Sequence, residues 1–235
     1  MIKLSISPSI LETYRKYYTE EYNGFLTEES VITAVKRETE WSDTMEFGAA
    51  FHEIIEFGHE KYYNSVSGLY HIQKKGKEGE VVLPYSAIEP AVIFRKNHPS
   101  MVYETPVSFT VCLNGFEVRF KMRIDGIEGN VIHEQKTGKR FSGYEFFEKS
   151  LQWKLYILAT GANQAQYNIF TWKQLSGKPI QVKYEKPIKL SRYVGIEGDV
   201  QDWLDRFLTF CKEKDIIQYI TMDHYQKRYG SKKPY

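Results

Sequence analysis

Apolar residues recur at helical spacing in four parts of the chain and at alternate positions in between, and this change of period predicts the elements. In "SISPSILETYRKYY", Ile10, Tyr14 and Tyr17/Tyr18 repeat as a helix does, Ser7 or Ser9 is placed to cap it, and Pro8 lies near its first turn. "TMEFGAAFHEIIEFGHEKYY" predicts a second helix whose apolar stripe is Phe47, Phe51, Ile54/Ile55 and Gly58. Residues 65–90 are rich in Gly and Lys and predict a loop with a short strand at Val81–Leu83. From residue 101 the period falls to two. "VYETPVSFTVCL", "FEVRFKMRIDGI" and "NVIHEQKTG" predict three consecutive strands, the first pair turned by Asn114-Gly115.

A third helix is expected over "GYEFFEKSLQWKLYILATG", with Phe147, Leu151, Leu155 and Leu158 on one face and Gly161 as its C-cap. Strands "QAQYNIFTWKQL" and "IQVKYEKPIKL" and a final amphipathic helix, "VGIEGDVQDWLDRFLTFCKEKDI", complete the order α–α–β–β–β–α–β–β–α. That order predicts an α/β fold with a central mixed β-sheet flanked by helices. It divides one domain into a helical part over about 1–65, an α/β core over about 100–190, and a C-terminal helix with a basic tail over about 195–235.

Composition adds limits. With 235 residues, 42% hydrophobic and 26% charged, the chain can bury a sizeable core. A formal charge of +2 does not by itself argue for a nucleic-acid partner, so any basic surface must be local. Cys112 and Cys211 lie in no Cys-x-x-Cys pair, and a reducing compartment is the expectation. No secretory leader and no apolar run of roughly 20 residues is evident. An intracellular, cytoplasmic protein without a membrane partner is therefore expected.

Three sets of residues carry candidate chemistry. In "RIDGIEGNVIHEQKTGKR", strand alternation puts Glu134 and Lys136 on one side, and normal hairpin pairing lets Asp125 lie opposite them. Two converging carboxylates repel unless a cation sits between them, and hard oxygen ligands suit Mg²⁺ or Mn²⁺. A solvated charged face accounts for the same residues. On the second helix His52 shares a flank with Gly48 and Glu56, where it reads either as a structural histidine or as a further ligand. On the third, Gln152 and Tyr156 stand four apart on one flank, as a polar edge or as an amide and phenol for a phosphate or base.

Taken in order, "FGAAFHEIIE", "IDG", "HEQKTGK" and "QWKLY" resemble the PD-(D/E)XK nuclease superfamily in its RecB-type exonuclease branch. That branch includes phage and mitochondrial genome-maintenance exonucleases and CRISPR adaptation nucleases. Its pattern is G-x-x-x-H on a helix, D on a strand, (D/E)-x-K, then Q-x-x-x-Y on the next helix. "SPSILETYRKYY" resembles the segment that opens many members, and the motifs cover roughly residues 5–160. The resemblance implies a restriction-endonuclease-like core. It implies that His52, Asp125, Glu134 and the backbone carbonyl of Gln135 hold Mg²⁺ or Mn²⁺, and that Asp125, Glu134 and Lys136 are catalytic. Gln152 and Tyr156 would lie along the DNA. Ile124 stands where the family name has Pro, and the cysteines that hold an iron–sulfur cluster in some members have no counterparts, so no Fe–S cluster is expected. Glu104 reads as a surface-strand residue first and an auxiliary acid second.

Lys139 and Arg140, just past the Glu134 strand, begin an expected DNA path. The tail adds Lys227, Arg228, Lys232 and Lys233 among Tyr225, Tyr229 and Tyr235, a mixture that suits single strands. The expectation is a metal-dependent DNA exonuclease that favours single-stranded ends, phage-encoded or carried by a mobile element in a bacterial host. It would act with replication or recombination proteins. The rivals are a structure-specific endonuclease and a non-catalytic DNA-binding subunit of the same fold.

Overall fold

The computed structural model describes residues 1–19, 26–174, 176, 179–222 and 224. The basic and aromatic residues expected of the tail, Tyr225 to Tyr235, lie outside the described residues. The chain opens with β1 (Ile2–Ile6), α1 (Pro8–Tyr18), α2 (Glu28–Lys36) and α3 (Asp43–Phe57). A small three-stranded antiparallel sheet follows, of β2 (Tyr63–Asn64), β3 (Leu69–Gln73) and β4 (Glu80–Leu83), and then α4 (Tyr85–Asn97). Next come β5 (Val102–Leu113), β6 (Phe116–Glu128) and β7 (Val131–Gly138), then α5 (Tyr144–Glu148) and α6 (Leu151–Thr160). Last are β8 (Gln164–Lys173), β9 (Gln181–Tyr184), β10 (Ile188–Ser191) and α7 (Ile196–Glu213).

The main sheet is mixed and flanked by helices, as the element order predicts. β6 pairs antiparallel with β5 and β7 and parallel with β1, and β8 pairs parallel with β7 and antiparallel with β9 and β10. One consequence of register positions the site. β5 runs along β6 from Val102↔Ile127 to Leu113↔Phe116 and occupies one whole edge. The other edge is shared: β1 takes Phe116 to Phe120, and β7 takes only Gly126, Ile127 and Glu128. Between them, residues 121–125 face no strand on that edge, so β6 and β7 fork at Asp125.

Each face of the sheet has its own core. Alternation along β6 sends Phe116, Val118, Phe120, Met122 and Ile124 into a cluster with α1, α2, α6 and α7. Phe170 and Trp172 of β8 face the other way, into a cluster with Phe51 and Ile54 of α3, Ile88 and Phe94 of α4, and the small sheet. Asn114 and Gly115 both have positive φ, 49° and 83°, as a two-residue hairpin turn requires. Gly161, at φ 73°, ends α6.

The structure departs from the sequence reading in several elements. β1, α2, β3 and α4 were not anticipated, and the loop expected over 65–90 is mostly ordered structure. In α4 the buried positions are Ala87, Ile88, Ala91 and Phe94, so two alanines dilute the apolar stripe, and Pro90 further disguises it. The expected third helix is broken at Ser150, whose side chain caps α6 by accepting from the Gln152 amide. The strand expected over 180–190 splits into β9 and β10, with Pro187 between them and no amide to give the ladder. No helix among the described residues is long and apolar enough to cross a membrane.

Candidate active site

The fork between β6 and β7 gathers the motif residues from four elements. α3 packs on β7 through Gly48, where a Cβ would lie 2.6 Å from Thr137 Oγ1. Only glycine permits that approach, and one turn later it delivers His52 to the fork, with Nδ1 3.7 Å from Asp125 Oδ1. Because β6 and β7 no longer pair here, the Gln135 amide is free to donate to Asp125 Oδ2 at 2.8 Å. On the α6 side of β7, Glu134 Oε1 accepts from Lys136 Nζ at 2.7 Å and from Gln152 Nε2 at 2.7 Å.

Gln152 is the hub of the α6 flank. Its Oε1 accepts from Lys136 Nζ at 2.9 Å, while its Nε2 also donates to the Tyr156 hydroxyl at 2.7 Å. Tyr156 in turn donates to the Arg123 carbonyl at 3.2 Å. Gln152 and Tyr156, expected along a DNA strand, are therefore turned inward, and Tyr156 is only 3% exposed. Helical spacing of four sets them on one flank, but that flank faces the fork.

The other predicted residues are placed differently. Gln135 is buried, with its side-chain amide nitrogen lacking a partner. Lys139 stands 5.1 Å over the Trp172 ring, and Arg140 is exposed at the end of β7. Cys112 is exposed on β5 and Cys211 is buried in α7; both are free.

Glu104 joins the cluster. It lies opposite Asp125, where the β5–β6 ladder skips a pair between Tyr103↔Gly126 and Thr105↔Ile124. Its φ is +51°, in the left-handed region that a residue with a side chain seldom enters, least of all within a strand. So held, its carboxylate meets Arg123 Nη1 at 2.9 Å. Ligand atoms of Glu104, His52 and Asp125 all lie within 4.8 Å of one another. The reading as a surface-strand residue is thus corrected, for strand alternation carries no signal of a reversed φ.

A second feature was legible but missed. "RFKMR" places Arg119, Lys121 and Arg123 at alternate positions of β6, and with Arg37 they line a groove of about 550 Å³ that meets the site at Arg123. Burial together with Arg119 and Arg37 lowers the Lys121 pKa.

The charges in the fork are unbalanced. Burial pushes Asp125 up to about 7, against the pull of Lys136 and the Gln135 amide. Burial, then Asp125, pushes Glu134 up to about 7. Burial lowers His52 to about 4, leaving a neutral imidazole. Lys136 loses by burial but gains more from Glu134 and Asp125, so its pKa is raised and it stays an ammonium. Glu134 Oε2 is buried and has no hydrogen-bond partner. His52, Glu104 and Asp125 offer ligand atoms within 4.8 Å of one another, and Glu134, which feels Asp125 and His52 electrostatically, adds an orphaned carboxylate oxygen; carboxylates with an imidazole are donors a divalent cation takes.

No protein-family model and no curated protein sequence matches this chain. Solved structures do. The crystal structure of SSO0001 aligns at 12% identity and a TM-score of 0.47, over 87% of this chain and 75% of that one. An alkaline exonuclease from Laribacter hongkongensis aligns at 14% identity and a TM-score of 0.35, over 97% and 94%. A phage-related exonuclease from Haemophilus somnus 129PT aligns at 12% and 0.36, over 88% and 96%.

Proposed function

We propose that the protein is a divalent-metal-dependent deoxyribonuclease of the PD-(D/E)XK type, RecB-like, acting as an exonuclease on single-stranded ends. The observation that carries this is Glu134: one oxygen is fixed by Lys136 and Gln152, while the other is buried without a partner next to Asp125 and His52. Most buried polar atoms in folded proteins have a hydrogen-bond partner, and a carboxylate oxygen without one, in a fork with a second raised carboxylate, is accounted for by a cation. His52, Asp125 and Glu134, with Glu104 beside them, would hold Mg²⁺ or Mn²⁺, and the Gln135 carbonyl would be a further donor. When bound, such a cation polarises a phosphoryl oxygen and acidifies water.

The chain's own residues supply the rest. Lys136 keeps its proton and sets a positive charge where negative charge develops on the phosphoryl oxygens. Gln152 holds Glu134 and Lys136 in one geometry, and Tyr156 holds Gln152, so both are positioning residues. The basic groove at Arg37, Arg119, Lys121 and Arg123 suits a polyanionic backbone, and Lys139 and Arg140 extend positive charge past β7. A role in phage or mobile-element replication or recombination, with partner proteins of those processes, completes the proposal.

The test is digestion of end-labelled single- and double-stranded oligonucleotides and of circular DNA, with Mg²⁺ or Mn²⁺, read at nucleotide resolution. Mononucleotides or short products released from ends, abolished by Lys136→Ala and by chelator, are expected. Cleavage of circles would favour an endonuclease. Full activity in Lys136→Ala would overturn the mechanism.

A further inference from the structure

We propose that His98, Glu128 and His133 form a second cation site, separate from the fork, whose two imidazoles and one carboxylate suit Zn²⁺. His98 caps the C-terminal end of α4, Glu128 ends β6, and His133 lies on β7. One ligand atom from each lies within 4.8 Å of the others. His98 Nδ1 and Glu128 Oε2 are 2.7 Å apart, and the two imidazole rings are 5.0 Å apart at 62°. Zinc bonds of roughly 2.0–2.2 Å put tetrahedral ligands about 3.4 Å from one another, so side-chain rotation alone closes the set around an ion.

The supporting polar groups are of the kind metal sites use. Ser100 Oγ donates to Glu128 Oε1 at 2.5 Å and fixes the carboxylate. His133, buried to 4% exposure, meets the wholly buried Asn168 at 3.2 Å through Nδ1. Asn168 meets Gln166 and the Tyr184 hydroxyl, each at 2.8 Å. Exchanging the oxygen and nitrogen of the Asn168 and Gln166 amides reverses every donor in this chain while keeping each contact. Asn168 Oδ1 then accepts from His133 Nδ1–H, and Nε2 is left with a lone pair for a metal. A cavity of about 590 Å³ reaches His98, one of the three ligands.

This site does not merge with the fork. Successive residues of β7 alternate faces, so His133 points toward α4 while Glu134 points toward α6. A zinc here would tie the end of α4 to the β6–β7 hairpin that carries Asp125 and Glu134, a structural role that requires no turnover.

Equilibrium dialysis against micromolar Zn²⁺ tests it in the Glu104→Gln/Asp125→Asn/Glu134→Gln protein, where the fork's carboxylates are neutral. One zinc per chain is expected, with a rise in melting temperature. Adding His98→Gln or His133→Gln should weaken that binding at least tenfold and remove the thermal shift. If His133→Gln does not fold, His98→Gln decides, because His98 sits partly exposed at a helix end. No bound zinc in the parent, or zinc held as tightly with His98→Gln, overturns the proposal.

Discussion

Glu12 and Glu134 are both buried carboxylates beside α6, one near its N-terminus and the other against its flank, yet the fold treats them in opposite ways. Glu12 is surrounded by donors: Arg15 Nη2 at 2.8 Å, Arg15 Nε at 3.3 Å, and the Leu151 amide at 2.9 Å, with Lys16 Nζ at 3.7 Å. Burial raises its pKa, but Arg15, Lys16 and Leu151 outweigh burial and hold it below the usual value. Glu134 has donors on one oxygen and none on the other, and its pKa stands at about 7. A satisfied buried charge fastens one helix to another; an unsatisfied one marks where a cation belongs.

The largest effects should separate the two. Lys136→Ala, Glu134→Gln and Asp125→Asn should each lower nuclease turnover by about 10³-fold or more, the scale of removing an electrostatic stabiliser or metal ligand. Melting temperature should hold or rise in the two carboxylate variants, since burial disfavours their charged forms more than Lys136 and the Gln135 amide favour them. Glu12→Ala should do the reverse. Breaking the buried Glu12–Arg15 pair and its bond to the Leu151 amide costs about 3 kcal/mol, read in urea unfolding, while activity per folded molecule is kept. A Glu12→Ala protein of normal stability, or a Glu134→Gln protein that unfolds, would break the comparison.

Acid and base should also pull the two apart. Glu12 has a folded pKa below its unfolded value, so its stabilisation is present above about pH 4.5 and fades as pH falls through the folded value. Asp125 and Glu134 have folded values raised to about 7, so the fold favours their protonated forms. In chelator, stability should therefore decline as pH rises from about 4 to about 7. Added Mg²⁺ or Mn²⁺ should reverse that decline and release protons below about pH 7, measurable by calorimetry in two buffers. Glu134→Gln should flatten the chelator curve.

Smaller effects sharpen the geometry. Gly48→Ala sets a Cβ 2.6 Å from Thr137 Oγ1 and should shift α3, and His52 with it, lowering activity about tenfold. Thr137→Ala in the same chain should restore much of it, a coupling that a double-mutant cycle measures. Tyr156→Phe, which loses the hydrogen bond from Gln152 and the one to the Arg123 carbonyl, should cost about 2 kcal/mol in stability and a few-fold in turnover.

Much of the hairpin's meaning could be read from its residues. Strand period, the Asn114-Gly115 turn and the spacing of Glu134 and Lys136 are local properties, and local sterics dictate them. The same alternation in Arg119, Lys121 and Arg123 was available and predicts the basic groove. α4 and β1 were hidden because short or alanine-diluted stripes resemble loops until a core forms on them. Glu104 reads first as a surface-strand residue for another reason: its φ of +51° breaks the strand geometry on which alternation relies.

The chain's residues alone determined which side chains are available: two acids and a lysine at strand spacing, a histidine one helical turn from a glycine, and a glutamine four before a tyrosine. Their directions were decided by tertiary structure. β5 fills one edge of β6, so β1 and β7 share the other and leave a fork at Asp125. That fork lets a backbone amide reach Asp125, turns Gln152 and Tyr156 inward, and leaves one oxygen of Glu134 without a partner. Spacing sets which residues share a face; only long-range strand pairing sets what that face meets.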